Sequence, residues 1–192
     1  PELGGWCLPE DETEPVNFQV LIDAHNPDAQ QLFECTETEL SYRVPSGVDM
    51  VNVWLSGAGG GVGSRPHAPM TGAAAGLAYG TLQVIAGETL RVFVGCAGQD
   101  GCLNSDCGER EGGGGGGGSA VLRGDTALLV AGGAGGQAGG DGDSLTAGGH
   151  GGGASGETGG TTEGNDDTPG GLGGTQDIPG RGGASNRGDG KG

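Results

Sequence analysis

The chain has 192 residues, 50 of them glycine, and sets eight basic side chains against 25 acidic ones for a net charge of −17. With Lys191 as its one lysine, it presents no basic patch to phosphates, which excludes nucleic acid as a partner and disfavours anionic membrane surfaces. No stretch approaches the roughly 18 apolar residues of a membrane span, so no membrane insertion is expected.

Composition divides the chain. Residues 16–100 and 119–131 carry most of the Val, Leu, Ile, Phe and Trp, whereas 132–192 hold only Leu145, Leu172 and Ile178 as large aliphatics. The first part can bury one small core and the second cannot build its own. The reading is a segment 1–35, a glycine-rich β-sandwich over 36–155, and a Gly/acidic extension 156–192. The chain opens at Pro1 without a signal peptide, which reads as a processed or truncated start.

In chain order the elements are strands. Val16–Ile22 alternates and then runs apolar, which predicts a half-buried strand, and Asp28–Phe33 after Asn26-Pro27 predicts the one short helix. Leu40–Val44, Val48–Leu55, Tyr79–Ile85, Thr89–Val94, Ala120–Leu122 and Ala127–Val130 complete the strand set. Pro45-Ser46-Gly47, Ala86-Gly87-Glu88 and Arg123-Gly124-Asp125 separate strands at hairpin-like distance. An antiparallel all-β sandwich with a jelly-roll or Greek-key path is the natural closed form.

Glycine segments leave this framework at strand ends. Gly57–Gly61 follows Leu55, the run Gly112–Gly118 precedes Ala120, and Gly132–Gly136 follows Val130. Such tracts have no side chains to form a core and lose much entropy on ordering. Order therefore requires backbone hydrogen bonds between neighbouring polyglycine II helices, extended threefold helices without internal bonds. Gly113, Gly114, Gly115, Gly116 and Gly117 are the expected centre of such a bundle.

Five cysteines suggest disulfides, since a glycine-rich chain with a small core needs covalent staples. The expected pairs are Cys7 with Cys35 and one bridge within Cys96, Cys102 and Cys107. The thiol left over serves an intermolecular link or stays buried and unpaired. Cys-x5-Cys-x4-Cys without a nearby histidine is a poor zinc pattern.

The run Tyr42–Val48 followed by Val51–Gly61, then Ala86–Gly95, the Gly112 tract and Leu128–Gly133 resembles the glycine-rich extracellular region of the anaplastic lymphoma kinase and leukocyte tyrosine kinase receptors. Similar arrangements occur in glycine-rich microbial, algal and phage surface proteins. The resemblance covers roughly residues 36–155. It implies a tumour-necrosis-factor-like β-sandwich carrying a polyglycine II bundle, and no enzymatic activity. Residues 1–35 and 156–192 find no counterpart in it, and the receptors' ligand contacts map onto no motif here.

Smaller motifs have plain readings. Arg-Gly-Asp at 123–125 and 187–189 resembles an integrin-binding tripeptide, but the first copy supplies what a tight turn demands. Gly139–Leu145 is similar to a calcium-binding β-roll repeat, with Ser144 where an aspartate is required and no repetition. Asp141 and Asp143 in this string, and Asp166 and Asp167 in the acidic cluster Glu163–Asp167, which reads first as a solvated loop, are weak calcium candidates, and otherwise no cofactor is expected. His25, His67 and His150 stand alone in sequence. No nucleophile elbow or convergent acid–base set is present, so the chain is not read as an enzyme.

These readings describe a secreted, extracellular structural subunit that packs through its backbone into a fibre, sheath or surface appendage. Its partners would be copies of itself or another extracellular protein. Val16, Phe18, Val20 and Ile22 are the assembly candidates, by addition to a neighbour's sheet edge. The alternative is a cell-surface binding module, a receptor ectodomain or adhesin, recognising a protein or glycan.

Overall fold

The computed structural model describes residues 19–24, 30–36, 38–62, 72–101, 113–137, 148–152, 156–157 and 159. Eight strands and no helix occur among them: β1 (Gln19–Asp23), β2 (Gln31–Glu34), β3 (Leu40–Arg43), β4 (Met50–Ser56), β5 (Leu77–Gln83), β6 (Thr89–Phe93), β7 (Ser119–Arg123) and β8 (Thr126–Ala131). They form two four-stranded sheets, ordered β2-β1-β4-β5 and β3-β6-β7-β8. Every pairing is antiparallel.

Period-two alternation builds the core. In β4, Val51, Val53 and Leu55 turn inward and are at most 2% exposed, while the alternate positions Met50 and Trp54 stay 44% and 40% exposed. Val20 and Ile22 of β1 sit beside them, and Leu90, Val92 and Val121 face them from the other sheet. Phe33 and Tyr42 meet edge-on, with ring centroids 6.4 Å apart. Burial, with the nearby Asp23 charge, pushes the Tyr42 phenol above its ordinary value.

Three expectations change. The predicted helix over 28–33 gives way to β2, with residues 28 and 29 outside the described set. Phe33 lies opposite Val20 and fills the core. Pairing with β1 satisfies the backbone that a six-residue helix could not hold alone. The turns at 45–47 and 86–88 join strands of different sheets, β3 to β4 and β5 to β6, so they are crossovers. Their glycines hold φ of 81° and 82°, and the two turns bond to each other through Val44 N–H to Glu88 O and Gly87 N–H to Val44 O, both 2.9 Å. Of the three predicted turns, Arg123-Gly124-Asp125 alone closes a hairpin, between β7 and β8.

The third change concerns covalent structure. Cys35 is bonded to Cys96, across 61 residues with Cα atoms 5.2 Å apart, and not to Cys7. The β1–β2 hairpin carries Cys35 to the end of the sandwich where the chain leaves β6, so Cys96 is the neighbour the fold supplies. Cys7, Cys102 and Cys107 lie outside the described residues. Such a bond persists in oxidising compartments.

Candidate functional site

At one end of the sandwich the strands run into glycine. Residues 57–62 follow β4, 95–101 follow β6 and 132–137 follow β8, while 72–76 lead into β5 and 113–118 into β7. The segment 148–152 joins this group through Gly135 N–H to Gly149 O and Gly151 N–H to Ala74 O, both 2.8 Å.

The hydrogen bonds have a period of three. Within 57–62, Gly57 and Gly60 donate to Gly76 and Ala73 at 2.9 and 3.2 Å, and Ala58 and Gly61 donate to Gly117 and Gly114 at 2.8 Å. The carbonyls of Gly59 and Val62 accept from Gly98 and Gly101 at 3.0 and 2.7 Å. The tract repeats the rule: Gly113 and Gly116 donate to Gln137 and Ala134, both at 2.8 Å, and Gly114 and Gly117 to Gln99 and Cys96 at 2.7 and 2.9 Å. Each third residue addresses the same neighbour, as a threefold extended helix requires and a pleated strand of period two does not.

Close approach explains the glycine. A Cβ on Gly116 would stand closer than 3.0 Å to the Ala58 carbonyl, and one on Gly113 equally close to that of Gly61. At Gly115 the nearest atom, Ala134 O, would lie at 3.4 Å, an ordinary contact. The same lattice does admit methyl groups where the helix face allows, at Ala58, Ala73 and Ala134, which are 0%, 5% and 3% exposed.

One hydroxyl ties the bundle to the sandwich. Ser119, fully buried at the start of β7, donates to Ser56 O at 2.6 Å and accepts Gly95 N–H at 3.0 Å. It thus joins the points where the chain leaves β4 and β6 and enters β7. No sequence motif singled it out; its signal is a lone polar residue at the end of a glycine tract. Further out, Asp100 Oδ1 accepts Val62 N–H and His150 Nδ1 accepts Ala74 N–H, both at 2.8 Å. His150, isolated in sequence, is therefore part of the bundle.

Gly113, Gly114, Gly116 and Gly117 each donate a main-chain hydrogen bond within this array. Val20 and Ile22, named above as assembly residues, lie at 0% exposure in the core of the chain's own sandwich, in a strand paired on both sides. Val16, Phe18, Asp141, Asp143, Asp166, Asp167 and the second Arg-Gly-Asp fall outside the described residues. Among the described residues no group of three His, Cys, Asp or Glu is placed to hold a metal ion.

The first Arg-Gly-Asp is already engaged. Arg123 donates twice to Glu88, at 2.9 Å each, and to Gln83 O at 2.7 Å. Asp125 pairs with Arg91 at 3.0 Å, and Arg91 also donates to both carboxylate oxygens of Glu39. The Arg123 hydrogen bonds hold the Glu88 carboxyl below its ordinary range, and those of Arg91 do the same for Glu39. The tripeptide is a turn stapled by Asp125 to its own sheet and by Arg123 to β5 of the other sheet and the β5–β6 crossover.

A second surface feature lies on the outer face of β2-β1-β4-β5. The registers Leu21↔Leu32, Leu21↔Trp54 and Trp54↔Tyr79 set Leu32, Leu21, Trp54 and Tyr79 in one row across all four strands. The rings of Trp54 and Tyr79 stand 5.0 Å apart, and Tyr79 is 59% exposed. The strands of this sheet contain Asp23 and Glu34 but no Lys or Arg. The outward positions were legible from strand alternation; their alignment needed the pairing register.

A two-sheet sandwich with a threefold glycine array defines a glycine-rich all-β module. The chain belongs to the glycine-rich domain family, which it matches over residues 35–192. No curated protein and no solved structure matches it. β1 and β2 precede the family match yet complete the first sheet.

Proposed function

We propose that this protein is a non-enzymatic extracellular structural protein that assembles with copies of itself into a fibre, sheath or surface appendage. The observation that carries this reading is the glycine array: six segments held by main-chain hydrogen bonds at a spacing that leaves almost no room for side chains. Such a surface repeats the same donors and acceptors every turn and carries no chemistry for substrate selection. It is suited to packing against like surfaces. The Cys35–Cys96 bond accords with an extracellular setting.

A second reading is favoured by the Trp54–Tyr79 row: a cell-surface binding module of the kind found in the receptors named above, with that face recognising a protein or glycan. Electron microscopy of the purified protein under non-reducing conditions separates the two. Regular filaments are the expected result. Single small particles at every concentration would overturn the structural reading and favour the binding module.

A further inference from the structure

We propose that β5 is the edge through which two copies of this chain pair, strand to strand and antiparallel about a twofold axis near Gly80. This deepens the self-assembly reading above and rests on it.

Among the described residues the two sheets have four edges, and three are guarded. β2 and β3 are four residues long and carry Glu34 and Arg43. β8 has a bulge at Leu128, where the register with β7 shifts between Val121 and Leu122. Short length, charge and bulges are the devices by which sheet edges avoid pairing. β5, Leu-Ala-Tyr-Gly-Thr-Leu-Gln, has seven residues, no charge, no proline and an unbroken register with β4.

Its hydrogen-bonding direction follows from the ladder. Val84 N–H bonds to Asp49 O at 2.8 Å and Gly57 N–H to Gly76 O at 2.9 Å, one at each end of the β4–β5 register. Bonded pairs alternate in an antiparallel ladder. Leu82, Gly80 and Ala78 therefore bond to β4, and Leu77, Tyr79 and Thr81 turn their N–H and C=O groups to the open edge. Gln83 belongs to the same outward set, and its carbonyl accepts Arg123 at 2.7 Å, which ends the open stretch. Among the described residues no other backbone partner meets residues 77–82.

A second copy fits this edge in register and in charge. Centred on Gly80, the twofold sets Tyr79 opposite Thr81 of the other copy and Thr81 opposite its Tyr79, all four outward-bonding residues. Ala78 then faces Leu82 on the inner side. Two chains of charge −17 repel over most of their surfaces, but β5 brings no charge to its neighbour. In the resulting eight-stranded sheet the Leu32–Leu21–Trp54–Tyr79 row of one copy meets the Thr81, Asn52 and Asp23 row of the other.

The test is sedimentation equilibrium of the whole chain and of Thr81→Pro, with amide hydrogen exchange on the wild type at low and high concentration. Proline at an outward-bonding edge position removes the N–H the partner needs and is tolerated there; the Thr81 hydroxyl bond to Asn52 Oδ1, 2.7 Å, is lost with it, and Thr81→Val, which loses that bond and keeps the N–H, is the control. Wild type and Thr81→Val are expected to associate, Thr81→Pro to raise the dimer Kd at least about 100-fold while melting like Thr81→Val at concentrations where both are monomeric, and exchange at Tyr79 and Thr81 to slow on association while Gly80 and Leu82 do not change. Association of wild type and Thr81→Pro with equal Kd, or unchanged exchange at Tyr79 and Thr81, would overturn the β5 assignment and leave self-assembly standing. If the proline variant unfolds, the exchange pattern alone decides. A wild type monomeric at every concentration would overturn both, including the case in which β5 takes a strand of another protein.

Discussion

The sandwich and the glycine array are two solutions to the same problem, satisfying a buried main chain. In the sandwich, ladder hydrogen bonds are shielded by Val20, Ile22, Val53, Leu55, Leu90 and Val92, so apolar burial supplies the driving force. In the array, Gly61, Gly114 and Gln137 bond across three segments, and a Cβ on Gly61 would collide with the Gln99 carbonyl. The first tolerates conservative change in side-chain shape; the second tolerates almost no side chain. One region fails by cavity formation and the other by overpacking.

That contrast orders the predictions. Cys35→Ser removes the tie across 61 residues between β2 and the root of the array; chain-entropy arguments give about 4 kcal/mol. Equilibrium urea unfolding should register a loss of that order, and reduction of the wild type should reproduce it. Leu55→Ala, in the sandwich alone, should cost about 2–5 kcal/mol through a cavity, read by the same method, with the array's amide protection falling only as global stability falls.

Ser119→Ala sits at the join. It leaves Gly95 N–H and Ser56 O without their buried partner, at a cost of about 1–3 kcal/mol. Its amide exchange should speed first at Gly95 and neighbouring array residues; a uniform change over both regions would mean that the two are not separable. The smallest effect is electrostatic. Glu39 and Glu88 have folded values held below 4.5 by Arg91 and Arg123, so the unfolded chain binds more protons between those depressed values and 4.5. Their contribution is full above about pH 5 and is lost as pH falls through the folded values. Acid titration of Arg123→Ala should show a slightly flatter decline than wild type, in the sandwich and not in the array.

Strand alternation made most of the sandwich legible: the polar and apolar order of Val51, Val53 and Leu55 is enough by itself to turn them inward. The hairpin reading of 45–47 and 86–88 failed because turn chemistry at Gly47 and Gly87 fixes a reversal of the chain but not the sheet that receives it. Phe33 looked helical for want of a visible partner, which is β1. The cysteine pairing depended on topology in the same way. The glycine tract announced a bundle, yet which glycines face carbonyls depends on threefold phase, and seven identical residues carry no phase. The role of Ser119 emerged from its hydrogen bonds and the alignment of Trp54 with Tyr79 from the register.

Phase is therefore the most direct test of the account. Gly115→Ala and Gly116→Ala carry the same change in unfolded-chain entropy, so the difference between their thermal melts isolates packing. Gly116→Ala should lower stability by about 1–3 kcal/mol or more and unprotect the array's amides, while Gly115→Ala should stay within about 0.5 kcal/mol of wild type. Equal melts for the two variants would contradict an ordered threefold glycine array.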